Sequence, residues 1–73
     1  MSIPEMHPVS SSNISAVGYD AESQWVYVQF LDGSIYAYKG VSELEYENLR
    51  MAPSVGSYLN RNFKNFYPYQ RAN

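Results

Sequence analysis

The chain has no cysteine among its 73 residues, which removes disulfides, thiolate zinc sites and a cysteine nucleophile together. Such a chain suits a reducing cytoplasm. Histidine is nearly absent too: His7 stands alone beside Pro8, with no evident partner to orient it for acid–base work. No apolar run approaches the roughly 20 residues that a bilayer span requires. The opening Met1-Ser2-Ile3-Pro4-Glu5-Met6 carries neither the basic nor the apolar block of a signal peptide. A soluble cytoplasmic domain with no membrane partner is the expectation. One further absence is positional. All the acids (Glu5, Asp20, Glu22, Asp32, Glu43, Glu45 and Glu47) lie at or before Glu47, where Lys39 is the one base. From Asn48 onward Arg50, Arg61, Lys64 and Arg71 meet no acid at all. A small net charge of −2 thus hides a basic C-terminal segment, which hints at an anionic partner or at a helix whose dipole is complemented at both ends.

What the chain does have is aromatic surface, 16 % of its residues, on a length that buries only about 60 % of its unfolded area. Residues 1–10, with Pro4 and Pro8, read as an extended arm that is ordered only if tied to a sheet, and residues 11–71 as a single domain. Ile14 to Tyr19 reads as a strand in which Gly18 marks a bulge or a close backbone approach. Asp20-Ala21-Glu22-Ser23 is turn chemistry. Gln24 to Leu31 is the strongest strand pattern. Asp32-Gly33 fits a two-residue type I′ turn, which would set Phe30 opposite Ile35, Val28 opposite Ala37 and Tyr27 opposite Tyr38. Alternation then yields a core face of Val26, Val28, Phe30, Ile35 and Ala37, and a second face of Trp25, Tyr27, Gln29, Tyr36 and Tyr38.

After Gly40-Val41 the apolar period changes from strand to helix. Ser42 and Glu45 form a capping box, Leu44, Tyr46 and Leu49 supply a buried stripe, and Arg50 sits in the last turn. Pro53 ends this helix. Ser54 can cap a second one, with Val55, Tyr58, Leu59, Asn62, Phe63 and Phe66 at helical spacing and Gly56 permitting a close approach. Pro68 should stop it and leave Tyr67 to Arg71 as an aromatic, basic tail. The expected fold is α+β: a three-stranded antiparallel meander followed by two short α-helices on one face.

Several ordered pieces carry a family resemblance. They are Ser11-Ser12-Asn13-Ile14, Val17-Gly18-Tyr19-Asp20, Val26-Tyr27-Val28-Gln29-Phe30, Gly33, Tyr36-Ala37-Tyr38, Ala52-Pro53-Ser54-Val55-Gly56-Ser57-Tyr58-Leu59-Asn60, Tyr67 and Arg71. From Val9 to Arg71 the chain resembles the KTSC domain family, small modules found alone in bacterial and phage proteins and at the C-terminus of some lysyl-tRNA synthetases. The resemblance implies a small α+β domain, with RNA binding inferred from that fusion context. Val41-Ser42 replaces the family's Val-Pro before the first helix while keeping a good cap. Leu59 stands where an aromatic is common.

The residues themselves allow the same reading. Single-stranded RNA binders combine flat side chains for base stacking with cations for phosphates. Trp25, Tyr27, Tyr36 and Tyr38 form the expected stacking platform, and Lys39, Arg50, Arg61, Lys64 and Arg71 the expected cations. The competing account is that the aromatics simply fill the sheet. The Ser54-to-Arg61 stretch has a glycine and hydroxyls at a helix start but lacks the lysine and spacing of a P-loop. The expectation is a non-enzymatic binding module without cofactor or metal. Its first partner would be tRNA or single-stranded RNA; a protein partner or a second copy of the chain on the same aromatic surface is the alternative.

Overall fold

The computed structural model describes residues 3–73. Its centre is a hairpin of β3 (Trp25–Phe30) and β4 (Ile35–Tyr38). The pairing is Val26 with Tyr38, Tyr27 with Ala37, Val28 with Tyr36 and Gln29 with Ile35, one residue away from the type I′ expectation. The cause lies in the turn. A type I′ turn needs positive φ at both central residues, but only Gly33, at 93°, has it here and Asp32 does not. Gly33 N–H donates to Phe30 O, and Phe30 N–H donates to Ser34 O. Leu31, Asp32 and Gly33 are therefore a three-residue loop, a type I turn followed by a left-handed glycine. Asp32 Oδ1 braces it by accepting from the Ser34 amide at 3.0 Å and the Ser34 hydroxyl at 2.7 Å. A slip of one residue turns every side chain of a strand to the other face. Tyr36 and Tyr38 therefore join Val26 and Val28 on the core face, while Ile35 and Ala37 share the other with Tyr27.

β2 (Ile14–Asp20) pairs antiparallel with β3, with a register shift between Ile14 and Ala16. That bulge, and not Gly18, is the irregularity of the strand. It lets Ile14, Val17 and Tyr19 face the same way despite their mixed parity. All three pack in or against the core of Val26, Val28, Tyr38, Leu49, Leu59 and Phe63.

The two helices close this core. α1 (Glu43–Arg50) is capped by Ser42, whose hydroxyl accepts from Glu45 N–H at 3.2 Å. The Glu45 carboxylate accepts instead from the Tyr58 hydroxyl at 2.7 Å, which ties α1 to α2. Tyr46 and Leu49 are buried, but Leu44 is 73 % exposed and lies outside the expected stripe. α2 (Val55–Asn62) is capped by Ser54, which accepts from Ser57 N–H. A Cβ on Gly56 would sit 2.7 Å from Asn13 Oδ1, so the glycine admits the turn before β2. α2 stops at Asn62, short of Pro68. The chain then turns through 63–67 and enters β5 (Tyr69–Arg71).

The sheet consequently has five strands, in the order β1-β2-β3-β4-β5, and not three. β5 adds to β4 with Tyr38 opposite Tyr69 and Tyr36 opposite Arg71, converting the expected tail into an edge. At the other edge β1 (His7–Pro8) pairs with β2. The arm thus fixed crosses the sheet face opposite the helices: Glu5 O and Met6 Sδ lie 2.7 Å from where a Gly18 Cβ would be. Ala16, Gly18, Tyr27 and Ala37 on that face are buried.

Candidate nucleic-acid interface

The register places the aromatic residues in two groups on opposite sides of the sheet. On the helix side, Tyr38 is 5 % exposed, edge-on to Phe63 at 5.7 Å and tilted against Tyr69 at 5.2 Å. Burial, helped by the neighbouring Tyr69 and Tyr36 hydroxyls, raises its pKa. It is a core residue. Tyr36 is half-buried, edge-on to Phe30 at 5.8 Å and 5.9 Å from Tyr69. Tyr69 itself is 49 % exposed.

Between this aromatic cluster and α2 the surface opens into a cleft of about 360 Å³. Phe30, Tyr36 and Tyr69 line its sheet side, and Asn13, Asn60 and Lys64 contribute polar groups. Asn13 is held by the Ser11 hydroxyl, which donates to Asn13 Oδ1 at 3.1 Å and accepts from the amides of Asn13 and Ile14 at 3.3 Å. Asn60 and Lys64 come from α2 and the turn after it. The sheet edge and the helix thus bring flat apolar surface, amides and one cation into a single opening.

On the arm side, Trp25 is half-buried and Tyr27 is 4 % exposed, so the expected platform shared with Tyr36 and Tyr38 does not exist. Burial, with Asp20 adding a smaller effect, raises the Tyr27 pKa. Lys39 Nζ lies 5.1 Å from the Trp25 ring centroid and donates to Gln70 Oε1 at 2.9 Å. A smaller cleft of about 240 Å³ lies here, lined by Ile3, Trp25, Tyr27 and Ala37 together with β5 residues.

The remaining cations are dispersed. Arg50 is ion-paired to Glu47 at 2.8 Å, and the hydrogen bond and charge of Glu47 hold the guanidinium more firmly protonated. Arg61 is exposed in the last turn of α2. Arg71, on exposed β5, donates weakly to Asn73 Oδ1 at 3.4 Å. Of the residues singled out from sequence, Tyr36, Tyr38 and Lys64 meet at the helix-side cleft, whereas Trp25, Tyr27 and Lys39 gather behind the sheet. Sequence reasoning missed Tyr69, Asn13 and Asn60, and it assigned Phe30 only to the core. Tyr69 had a usable signal, since a proline just before alternating residues is compatible with the start of an edge strand.

Among the described residues, no group of three or more His, Cys, Asp or Glu is placed to hold a metal ion. His7 is exposed on β1, and no described helix is long and apolar enough to cross a membrane.

The comparisons with known proteins agree with one another. A crystal structure of a KTSC domain protein from Yersinia pestis superposes with a TM-score of 0.89 at 30 % identity, covering 94 % of this chain and 97 % of that one. An uncharacterized protein of Stutzerimonas stutzeri is 36 % identical over 64 residues, covering 86 % of this chain and 90 % of the relative. A protein of Tsukamurella paurometabola is 38 % identical over 55 residues, covering 75 % and 82 %. The model of the KTSC domain matches residues 10–67. The chain belongs to the KTSC domain family.

Proposed function

We propose that the protein is a non-catalytic module that binds single-stranded RNA through the cleft between α2 and the β3–β5 edge. The observation that carries this reading is the meeting of half-exposed Tyr69 and half-buried Tyr36 with Lys64 in one opening. Unpaired bases stack on aromatic side chains while cations hold the adjacent phosphate, and each stacked base contributes about 1–3 kcal/mol. At about 360 Å³ the opening is near the lower end of small-ligand sites, a size that suits one nucleotide. Arg61, exposed in the last turn of α2 just before Lys64 in sequence, adds a second positive charge to that segment.

Titration of the full chain with labelled single-stranded RNA and with tRNA at low salt tests this. Saturable binding is expected, weakening with salt and falling about tenfold or more on Tyr69→Ala, with the circular dichroism spectrum retained. No saturable binding to either RNA at low salt overturns the reading. A second reading, self-association, is favoured by Leu44 in the first turn of α1 and Met51 at its C-cap, each 73 % exposed. It predicts a mass that rises with concentration in light scattering and falls back to that of the monomer in Leu44→Glu. A mass that stays monomeric throughout excludes it.

A further inference from the structure

The aromatic cleft does not end at Phe30. A second opening of about 320 Å³ shares Asn13 and Phe30 with it and continues to Ser12, Leu31 and Asp32. Joined at these shared residues, the two openings would form a groove whose ends differ in charge, with Lys64 lining the first and Asp32 the second. Asp32 is fully exposed, and its Oδ1 is occupied by Ser34, so the carboxylate keeps its second oxygen for a ligand. Ser34's hydrogen bonds, assisted by the charge of Arg71, hold the Asp32 carboxyl below the usual carboxylate range, so it stays ionised at neutral pH. Leu31, 62 % exposed beside it, offers apolar cover.

A strand threading the whole groove would bring a phosphodiester past this carboxylate, and like charges repel. A strand that ends there presents no phosphate. If the end is a 3′ end, it presents two neighbouring ribose hydroxyls, which are hydrogen-bond donors matched to a carboxylate. We propose that the groove takes the 3′-hydroxyl end of an RNA strand. The terminal base lies against Phe30 and Tyr36, its 5′-side phosphate lies at Lys64, and its cis-diol is held by Asp32. This rests on the RNA reading above and deepens it from a stretch of strand to one end of it.

The test uses short 5′-labelled RNAs of one sequence carrying a 3′-hydroxyl or a 3′-phosphate, titrated against the full chain and against Asp32→Asn. The substitution keeps the Oδ1 acceptor for Ser34, so the turn survives. The 3′-hydroxyl RNA is expected to bind at least about tenfold more tightly than the 3′-phosphate RNA, from two hydrogen bonds to a charged acceptor against a repelled phosphate. Asp32→Asn should shrink that preference severalfold. Equal affinity for the two ends overturns the end-binding proposal while leaving RNA binding in place. A preference that persists unchanged in Asp32→Asn overturns the role of Asp32. Failure of both RNAs to bind overturns the RNA reading itself.

Discussion

Gly18→Ala tests how the arm is held against the sheet. An alanine Cβ at this position would lie 2.7 Å from the Glu5 carbonyl oxygen and 2.7 Å from Met6 Sδ. The sulfur ends a flexible side chain and can swing away. The carbonyl is backbone, so the arm itself must lift. Overpacking of this kind costs about 1–3 kcal/mol, and alanine returns about 0.5–1 kcal/mol through a less flexible unfolded chain. The net loss should be about 1–2 kcal/mol, which lowers Tm by roughly 5–15 °C in a domain of this size. Thermal and urea denaturation measure the loss, and hydrogen exchange locates it. The Val9 amide, bonded to Ser15 O at 3.2 Å beside β1, should exchange faster in the variant, whereas amides at the centre of β3 should follow global stability. A chain lacking residues 1–8 supplies the control. There nothing crowds the position, so Gly18→Ala should be neutral or stabilising by up to about 1 kcal/mol. Equal stability of the full-length variant with unchanged Val9 exchange would refute the close crossing, as would the same penalty in the truncated chain.

The tyrosines should make the fold alkali-sensitive. Burial raises the pKa of Tyr38, Tyr46 and Tyr19 above 10.0, and donation to Glu45 does so for Tyr58. A group raised on folding adds stability that is complete below its unfolded pKa and vanishes as pH climbs through the folded value. Denaturation midpoints should therefore hold steady in tyrosine-linked terms up to about pH 10 and fall above it, with tyrosinate absorbance appearing late in the native protein. A midpoint that stays flat through pH 11 would contradict this. Gln24 occupies left-handed backbone at φ 61°, which costs a side-chain-bearing residue about 1–2 kcal/mol. Gln24→Gly should thus raise stability by about 0.5–1 kcal/mol after glycine's own entropy is counted, and a lower Tm would show that the Gln24 side chain compensates.

Local chemistry was legible in the sequence wherever one residue type answers one local demand. Ser42 and Ser54 cap their helices, and Gly18 and Gly56 each sit where backbone or side chain passes within contact. The hairpin register is ambiguous in the sequence because Leu31-Asp32-Gly33-Ser34 serves two turns. Both need a glycine at Gly33, and they differ only in whether Asp32 is left-handed, which its bonds to Ser34 decide. That single residue of loop length moved Tyr36 and Tyr38 to the core side and divided the expected binding surface. β5 and the arm were hidden for a different reason. Strands of two or three residues carry too little periodicity to read, and their existence depends on long-range partners, β4 and β2. The cleft inherits this difficulty, since it is assembled from the turn before β2, the hairpin, α2 and β5.

The brevity of those edge strands has a bearing on aggregation. A sheet this rich in tyrosine and valine would, with long open edges, template further strands from neighbouring molecules. Instead one edge consists of His7 and Pro8, whose proline has no N–H to offer, and the other of Tyr69, Gln70 and Arg71, ending in a charge. Neither is long enough to seed a stable intermolecular ladder. The sheet stops at five strands, and each of its two outermost strands offers a neighbouring molecule only two or three residues of backbone to pair with.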